Sequence, residues 1–231
     1  MNEEEAFLHA ICESPHEDTP RLVFADWLDE QGGDVNAAWA ELIRVQVRLA
    51  RGAGAEREQL VDRERAVQPA AVAGWVGRWK LPDDLKWENW TRGFPLTLSG
   101  SGASIRTARL TFAGRVPLRE FNLDPATDAD LAEFTTWPEL QLVRKLGIWT
   151  TRNNPITEQG ILALAGCEYL ADLERLRMQQ VAYTDTAMEA FIDSPHLSRL
   201  ISVKIVGIGF EPLGEDVRRR VRERFGRWDI H

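Results

Sequence analysis

Only two cysteines occur in the 231 residues, Cys12 and Cys167, far apart and in different segments. That leaves no basis for a disulfide framework, and neither stands at metal-ligand spacing from any of the four histidines, His9, His16, His196 and His231. Both read as buried thiols, and no metal or cofactor is expected. The chain also lacks an apolar run long enough to span a bilayer, and it opens Met1-Asn2-Glu3-Glu4-Glu5 rather than on a cationic, apolar leader. The expectation is a cytoplasmic protein with no membrane partner. Phosphate loops of the forms G-x-x-x-x-G-K-S/T and G-x-G-x-x-G are missing, and Gly100-Ser101-Gly102 lacks the G-x-S-x-G spacing of a nucleophile elbow. That glycine-serine stretch reads as a flexible turn. Asp26, Asp29 and Glu30 could be imagined as paired carboxylates, yet acids on the outer face of an amphipathic helix are common. Nothing meets the geometric demands of a catalytic site, so neither an enzyme nor a small-molecule substrate is expected.

Positive charge is scarce at the front. The first 34 residues hold ten acids and a single arginine, Arg21, whereas the whole chain has a net charge of -8, so the remainder is near neutral. Such an opening repels phosphates and disfavours non-specific nucleic-acid binding by this end.

What is present is self-similarity in the back half. Thr127-Asp128, Thr157-Glu158 and Thr184-Asp185 begin three segments whose acids lie 30 and then 27 residues apart. Counting from each acid, apolar residues recur at +3 (Leu131, Ile161, Met188), +6 (Phe134, Leu164, Phe191) and +12 (Leu140, Leu170, Leu197). They recur again at +15 (Val143, Leu173, Leu200), +18 (Leu146, Leu176, Val203) and +20 (Ile148, Met178, Ile205). A period of this length belongs to a stacked structural unit. Spacing at +3 and +6 marks one face of a short helix, with Thr placed to cap it and the acid favoured at its positive end. The final apolar pair, two residues apart, marks a strand with one buried face. Each copy therefore reads as helix, turn, strand.

In the middle copy, Ile156-Thr157-Glu158-Gln159-Gly160-Ile161, then Leu164-Ala165-Gly166-Cys167, then Leu170, Leu173, Leu176 and Met178 resemble the cysteine-containing class of leucine-rich repeats. Trp137 and Ser194 stand where Cys167 stands in the flanking copies. The front half carries a second resemblance. Glu4-Glu5-Ala6-Phe7-Leu8, Asp18-Thr19-Pro20-Arg21-Leu22-Val23-Phe24-Ala25-Asp26-Trp27-Leu28-Asp29-Glu30 and Glu41-Leu42-Ile43-Arg44-Val45-Gln46 are similar to the bacterial repeat-companion domain. Trp90-Thr91-Arg92-Gly93-Phe94 resembles the Arg-Gly-Phe segment that introduces the repeats in that family. The resemblance implies a helical cap on a repeat array, and no catalytic activity or ligand.

The front half reads as helical: Glu3 to Cys12, then Arg21 to Glu30 with Thr19-Pro20 as cap and first-turn proline, then Val35 to about Arg51 capped by Asp34, and a charged helix from Ala55 to Gln68 before Pro69. At the other end, Glu215-Asp216 opens a helix whose Val217, Val221 and Phe225 would cover the last copy, with five arginines in solvent. The expected fold class is α/β. A helical repeat-companion domain spans 1–80, a short leucine-rich-repeat-like solenoid with a parallel sheet spans 81–214, and a capping helix spans 215–231.

Residues between the buried strand positions of a stacked array fall into rows on its concave side. Those rows hold Lys145, Arg175 and Ser202; Gly147, Arg177 and Lys204; and Trp149, Gln179 and Val206, with Glu120, Asn122 and Asp124 at the front edge. The candidate partner-binding residues are therefore Lys145, Trp149, Arg175, Arg177, Gln179 and Lys204, facing a protein with an acidic segment. The alternative is that Arg and Lys ladders with Glu174 and Glu120 merely solvate the face. The function expected is a non-enzymatic scaffold, adaptor or regulatory subunit. The runner-up is a nucleic-acid-associated module using the basic patch and the C-terminal arginines.

Overall fold

A computed structural model describes residues 2–79, 81–207 and 213–225. The chain forms two compact units: Met1–Asp83 with Trp87–Thr97 and Leu110–Pro117, and Asp84–Lys86 with Leu98–Arg109 and Leu118–His231.

In the first unit, helix α1 (Glu3–Glu13) starts on a capping box. Asn2 Oδ1 accepts from the Glu5 N–H at 2.8 Å, and Glu5 Oε2 accepts from the Asn2 N–H at 3.0 Å. Helix α2 (Thr19–Gln31) has Pro20 in its first turn, but Asp18, not Thr19, stands at the cap and makes no side-chain cap bond. The Asp18 carboxylate instead holds Arg51 at 2.8 Å and Arg92 at 3.2 Å. Helix α3 (Asp34–Ala50) likewise follows Gly33 rather than an Asp34 cap.

Helix α4 (Arg57–Arg78) overturns the expected stop before Pro69, because it runs straight through that proline. An interior proline costs about 3 kcal/mol. Here Ala71 and Trp75, both fully buried, lie beyond it, and Trp75 meets Trp39, Trp79, Trp87, Trp90 and Phe94 with ring centroids 4.8–6.2 Å apart. Burial of an indole on that scale offsets the lost backbone bond.

Two strands unannounced by any alternating pattern, β1 (Lys86–Thr91) and β2 (Phe94–Gly100), form a hairpin through Arg92-Gly93. Both turn residues have positive φ, 50° and 83°, as a two-residue hairpin turn requires. The Gly93 N–H donates to Gln46 Oε1 at 2.7 Å and the Gly93 carbonyl accepts from Trp39 Nε1 at 2.8 Å. A Cβ there would lie 2.1 Å from Ile43 Cγ1, so no other residue fits.

The supposed flexible stretch Gly100-Ser101-Gly102 is the ordered junction between β2 and helix α5 (Gly102–Phe112). Asp84 Oδ2 accepts from the Ser101 N–H at 2.9 Å, and Ser101 Oγ accepts from the Ser104 N–H at 3.1 Å. Those serines hold the Asp84 carboxyl below its ordinary pKa, with the Ser104 hydroxyl the leading cause.

The second unit continues with β3 (Glu120–Leu123), β4 (Lys145–Ile148), β5 (Arg175–Val181) and β6 (Ser202–Gly207), interleaved with helices α6 (Asp128–Phe134), α7 (Glu158–Ala165) and α8 (Asp185–Asp193). Among the described residues the sheet runs β1-β2-β3-β4-β5-β6 in chain order, and β3 to β6 are mutually parallel. The fold is thus mixed α/β on an open, mostly parallel sheet. All the apolar residues at the six recurring offsets are buried. Phe121 of β3 meets Phe134 of α6 edge-on at 5.2 Å, which places the helices over that side of the sheet.

The Thr-acid pairs do more than start helices. Thr127, Thr157 and Thr184 each cap their helix through the side-chain oxygen. Asp128 Oδ1 and Oδ2 also accept from the Thr157 N–H at 3.0 Å and its hydroxyl at 2.5 Å, and Glu158 Oε2 accepts from the Thr184 hydroxyl at 2.6 Å. Asp185 accepts in turn from the Gly214 N–H at 3.0 Å. Each acid ties the start of its own helix to the next segment. The column holding Cys167 and Ser194 does the same at the other helix end: Cys167 Sγ donates to the Thr135 carbonyl at 3.1 Å and Ser194 Oγ to the Ala165 carbonyl at 2.6 Å.

Helix α9 (Glu215–Phe225) buries Val217 and Val221, and Phe225 meets Phe191 at 5.7 Å. Residues 226–231 of the expected capping segment lie outside the described residues. Among the described residues no helix is long and apolar enough to cross a membrane.

Candidate functional site

The parallel register brings the six singled-out residues onto one face of β4, β5 and β6 and the residues just after them. Glu120, Lys145, Arg175 and Ser202 pair in one row, and Asn122, Gly147, Arg177 and Lys204 in the next. Gln179 pairs with Val206, and Trp149 follows β4 with its N–H on the Leu123 carbonyl at 2.8 Å. Strand alternation points these side chains away from the buried Leu146, Ile148, Leu176, Met178, Val203 and Ile205.

Lys145 is not available as a free cation. Its ammonium lies 3.3 Å from Glu120 Oε2, as a solvating cross-strand pair would have it. The exposed guanidinium groups of Arg175 and Arg177 have no carboxylate of a described residue within salt-bridge distance. Glu174 turns elsewhere, to Arg144 at 3.9 Å, and Arg144 also holds Asp172 at 2.9 Å while Arg199 holds it at 2.7 Å. That cluster, at the entrance to the strands, is spent on joining consecutive segments. Beside it, burial foremost and then the Arg144 charge depress the pKa of Arg119.

Trp149 is half-buried rather than projecting. Its ring folds back over Gly147: a Cβ on Gly147 would lie 2.3 Å from Trp149 Cη2 and Cζ3 and 2.6 Å from Asn122 Oδ1. The Arg177 guanidinium stands 5.8 Å from the centre of the same indole, within cation–π range. With its amide oxygen turned toward Arg177, Gln179 accepts from Nε at 3.3 Å and from Nη2 at 2.7 Å. Arg177 is thereby fixed between an aromatic face and an amide, with its remaining N–H groups toward solvent. Sequence reasoning singled out Trp149, Arg177 and Gln179 and placed Gly147 in the row of Arg177 without giving it a role; its signal was a lone glycine inside a strand pattern.

Gly147→Ala should therefore force the indole off the sheet. In protein labelled with fluorotryptophan, one of the nine tryptophan fluorine resonances should move while the others hold. A spectrum with no shifted resonance would show that the indole does not rest on Gly147.

Where the face meets the ends of β2 and β3, a cleft of about 300 Å³ is lined by Asp84, Lys86, Ser99, Asn122, Asp124 and Trp149. Asn122 Nδ2 donates to Ser99 Oγ at 3.2 Å, and Asp124 is exposed. The face thus carries Asp84, Asp124 and Lys86 toward β3 and the exposed Arg175 and Arg177 over β5, in line with the expected rows, which have acids at the front edge and a basic middle.

Charges elsewhere are largely committed. In α9, Arg220 pairs with Asp193 at 2.5 Å and Glu189 at 3.8 Å, Arg219 with Asp216 and with Glu223 at 3.7 Å, and Arg224 donates to the Ser194 and Leu197 carbonyls at 3.3 and 3.2 Å. Burial pushes the Cys12 thiol up to about 12 and raises that of Cys167. No group of three or more His, Cys, Asp or Glu among the described residues is arranged to hold a metal ion.

Among the described residues the fold is mixed α/β on an open, mostly parallel sheet, with Arg175 and Arg177 exposed on β5. No family model, curated protein or solved structure matches the chain.

Proposed function

We propose that this chain is a non-enzymatic protein-interaction module, a scaffold, adaptor or regulatory subunit that holds a partner protein on the outward face of β4 to β6. In this reading the Thr-acid segments are leucine-rich-repeat-like turns of a short solenoid, and the N-terminal helices are its repeat-companion cap, working in the cytoplasm. Support for the solenoid is the regular recurrence of helix, 3-10 turn and parallel strand, with one strand paired per segment. The observation that carries the function is Arg177, held by Trp149 and Gln179 on a strand and left without a carboxylate among the described residues. A guanidinium fixed in advance loses little rotamer freedom when it forks onto a carboxylate, and arginine beside an indole is the pairing that dominates many protein interfaces. The nucleic-acid reading draws less support, because three of the five α9 arginines are occupied by α8, by their own helix or by backbone carbonyls.

The test is capture on immobilised protein. Arg175→Glu combined with Arg177→Glu should abolish retention of whatever the parent protein retains from native cell lysate, with the melting temperature unchanged, since both side chains are exposed. Equal retention by the double variant would reject the face.

A further inference from the structure

Resting on that reading, we infer that the segment held on this face is bipolar: acidic side chains over β5 and a basic side chain over the end of β3. The inference comes from the order of charge across the strands. At the β3 end, exposed Asp124 carries a carboxylate; Asp84, held by the Ser101 N–H, and exposed Lys86 line the same cleft and offset one another. At β4 the charge cancels, since Lys145 is paired with Glu120, and the surface is the Trp149 ring over Gly147. At β5, Arg175 and Arg177 are exposed. A uniformly acidic guest would satisfy the arginines and then run into Asp124, and like charges brought together across an interface are strongly disfavoured. A guest whose charge reverses along its length matches both ends, and its alkyl or ring portion can cross the indole between them.

The spacing follows from strand geometry. Neighbouring strands lie about 4.8 Å apart, so β3 and β5 are separated by roughly 10 Å, and the register sets Asp124 about 6.6 Å further along than the Arg177 row, a diagonal of about 12 Å. An extended or polyproline-like chain advances about 3.1–3.4 Å per residue, so the acid and the base sit about three to four residues apart in the guest. A polyproline-like conformation also returns the side chain to the same face every third residue.

Three fluorescein-labelled peptides test this by anisotropy on the full chain: one with the core Glu-Glu-Pro-Pro-Lys, its reverse Lys-Pro-Pro-Glu-Glu, and a control with Glu replacing Lys. One of the two bipolar orders should bind the parent at least about tenfold more tightly than the all-acidic control, with affinity falling as salt rises. Asp124→Lys should invert that preference, and Arg177→Glu should remove binding of all three. An all-acidic peptide that binds as well as the bipolar ones, with the Asp124→Lys preference unchanged, would overturn the bipolar inference and leave the acidic-partner reading standing. Absence of binding by every peptide, or tighter binding of a single-stranded oligonucleotide, would overturn both.

Discussion

Trp39→Ala is expected to remove about 4 kcal/mol of stability and to lower the melting temperature by on the order of 10 °C. The indole is 1% exposed and lies at the centre of the first unit's aromatic cluster, 4.9 Å from Phe24, 4.8 Å from Trp75 and 5.6 Å from Phe94 by ring centroids. The Arg78 guanidinium stands 5.2 Å from the centre of the same ring. Truncation leaves a cavity that three other rings cannot close together. It also strips the Gly93 carbonyl of its donor, and that carbonyl sits at a hairpin tip with a positive φ and no room for adjustment against Ile43. Trp39→Phe separates the two effects, because it keeps most of the ring packing and loses only the N–H. About 1–2 kcal/mol is expected from that variant. Urea unfolding followed by near-ultraviolet circular dichroism reads the cluster directly, and a Trp39→Ala protein that unfolds at the parent's urea midpoint would show that this indole is not the keystone of the unit.

The parts of this fold that were legible in the sequence are those whose signals are local and repeated. Thr157-Glu158 announces a helix start by chemistry that needs only a hydroxyl and a carboxylate at the right offset, and three copies make the pattern hard to mistake. The parallel register followed from the same offsets, since Lys145, Arg175 and Ser202 occupy one column and do pair in one row. What was not legible depended on contacts distant in the chain. Pro69 looked like a stop because propensity counts only the lost backbone bond, whereas Trp75 beyond it is buried among rings contributed from Trp39 to Phe94. The β1–β2 hairpin was hidden because Trp87 and Trp90 do not alternate with polar residues in a way that marks a strand, and its Arg92-Gly93 turn is recognisable mainly from the backbone angles. On the outward face of β4 to β6, the sequence placed the cations in rows but could not show that Glu120 reaches Lys145, or that Trp149 lies down on Gly147 instead of standing free. Those two facts leave Arg175 and Arg177 as the exposed cations of β5 on that face.

Asp128→Ala and Gly160→Ala should each cost about 2–3 kcal/mol, and their combination should cost less than the sum by about 1–2 kcal/mol. The argument rests on shared space. Asp128 reaches from the first turn of its helix to accept from both the N–H and the hydroxyl of Thr157, at 3.0 and 2.5 Å, so its removal leaves two donors of the next segment to find water in a half-buried site. Gly160 makes that reach possible, because a Cβ at this position would lie 2.5 Å from Asp128 Oδ1, 2.7 Å from Ile156 Cγ2 and 3.0 Å from Leu131 Cδ1. A methyl group there expels the carboxylate and breaks the same two bonds that Asp128→Ala breaks. Once the carboxylate is gone, one of the three clashes has vanished and the second substitution finds part of its room already made, while the crowding against Ile156 and Leu131 persists. Urea unfolding of the four proteins of the cycle measures the coupling, and amide hydrogen exchange should show protection lost first in α7, where Thr157 is the cap. Strict additivity would mean that a Cβ at Gly160 acts through Ile156 and Leu131 and leaves the Asp128–Thr157 bonds in place.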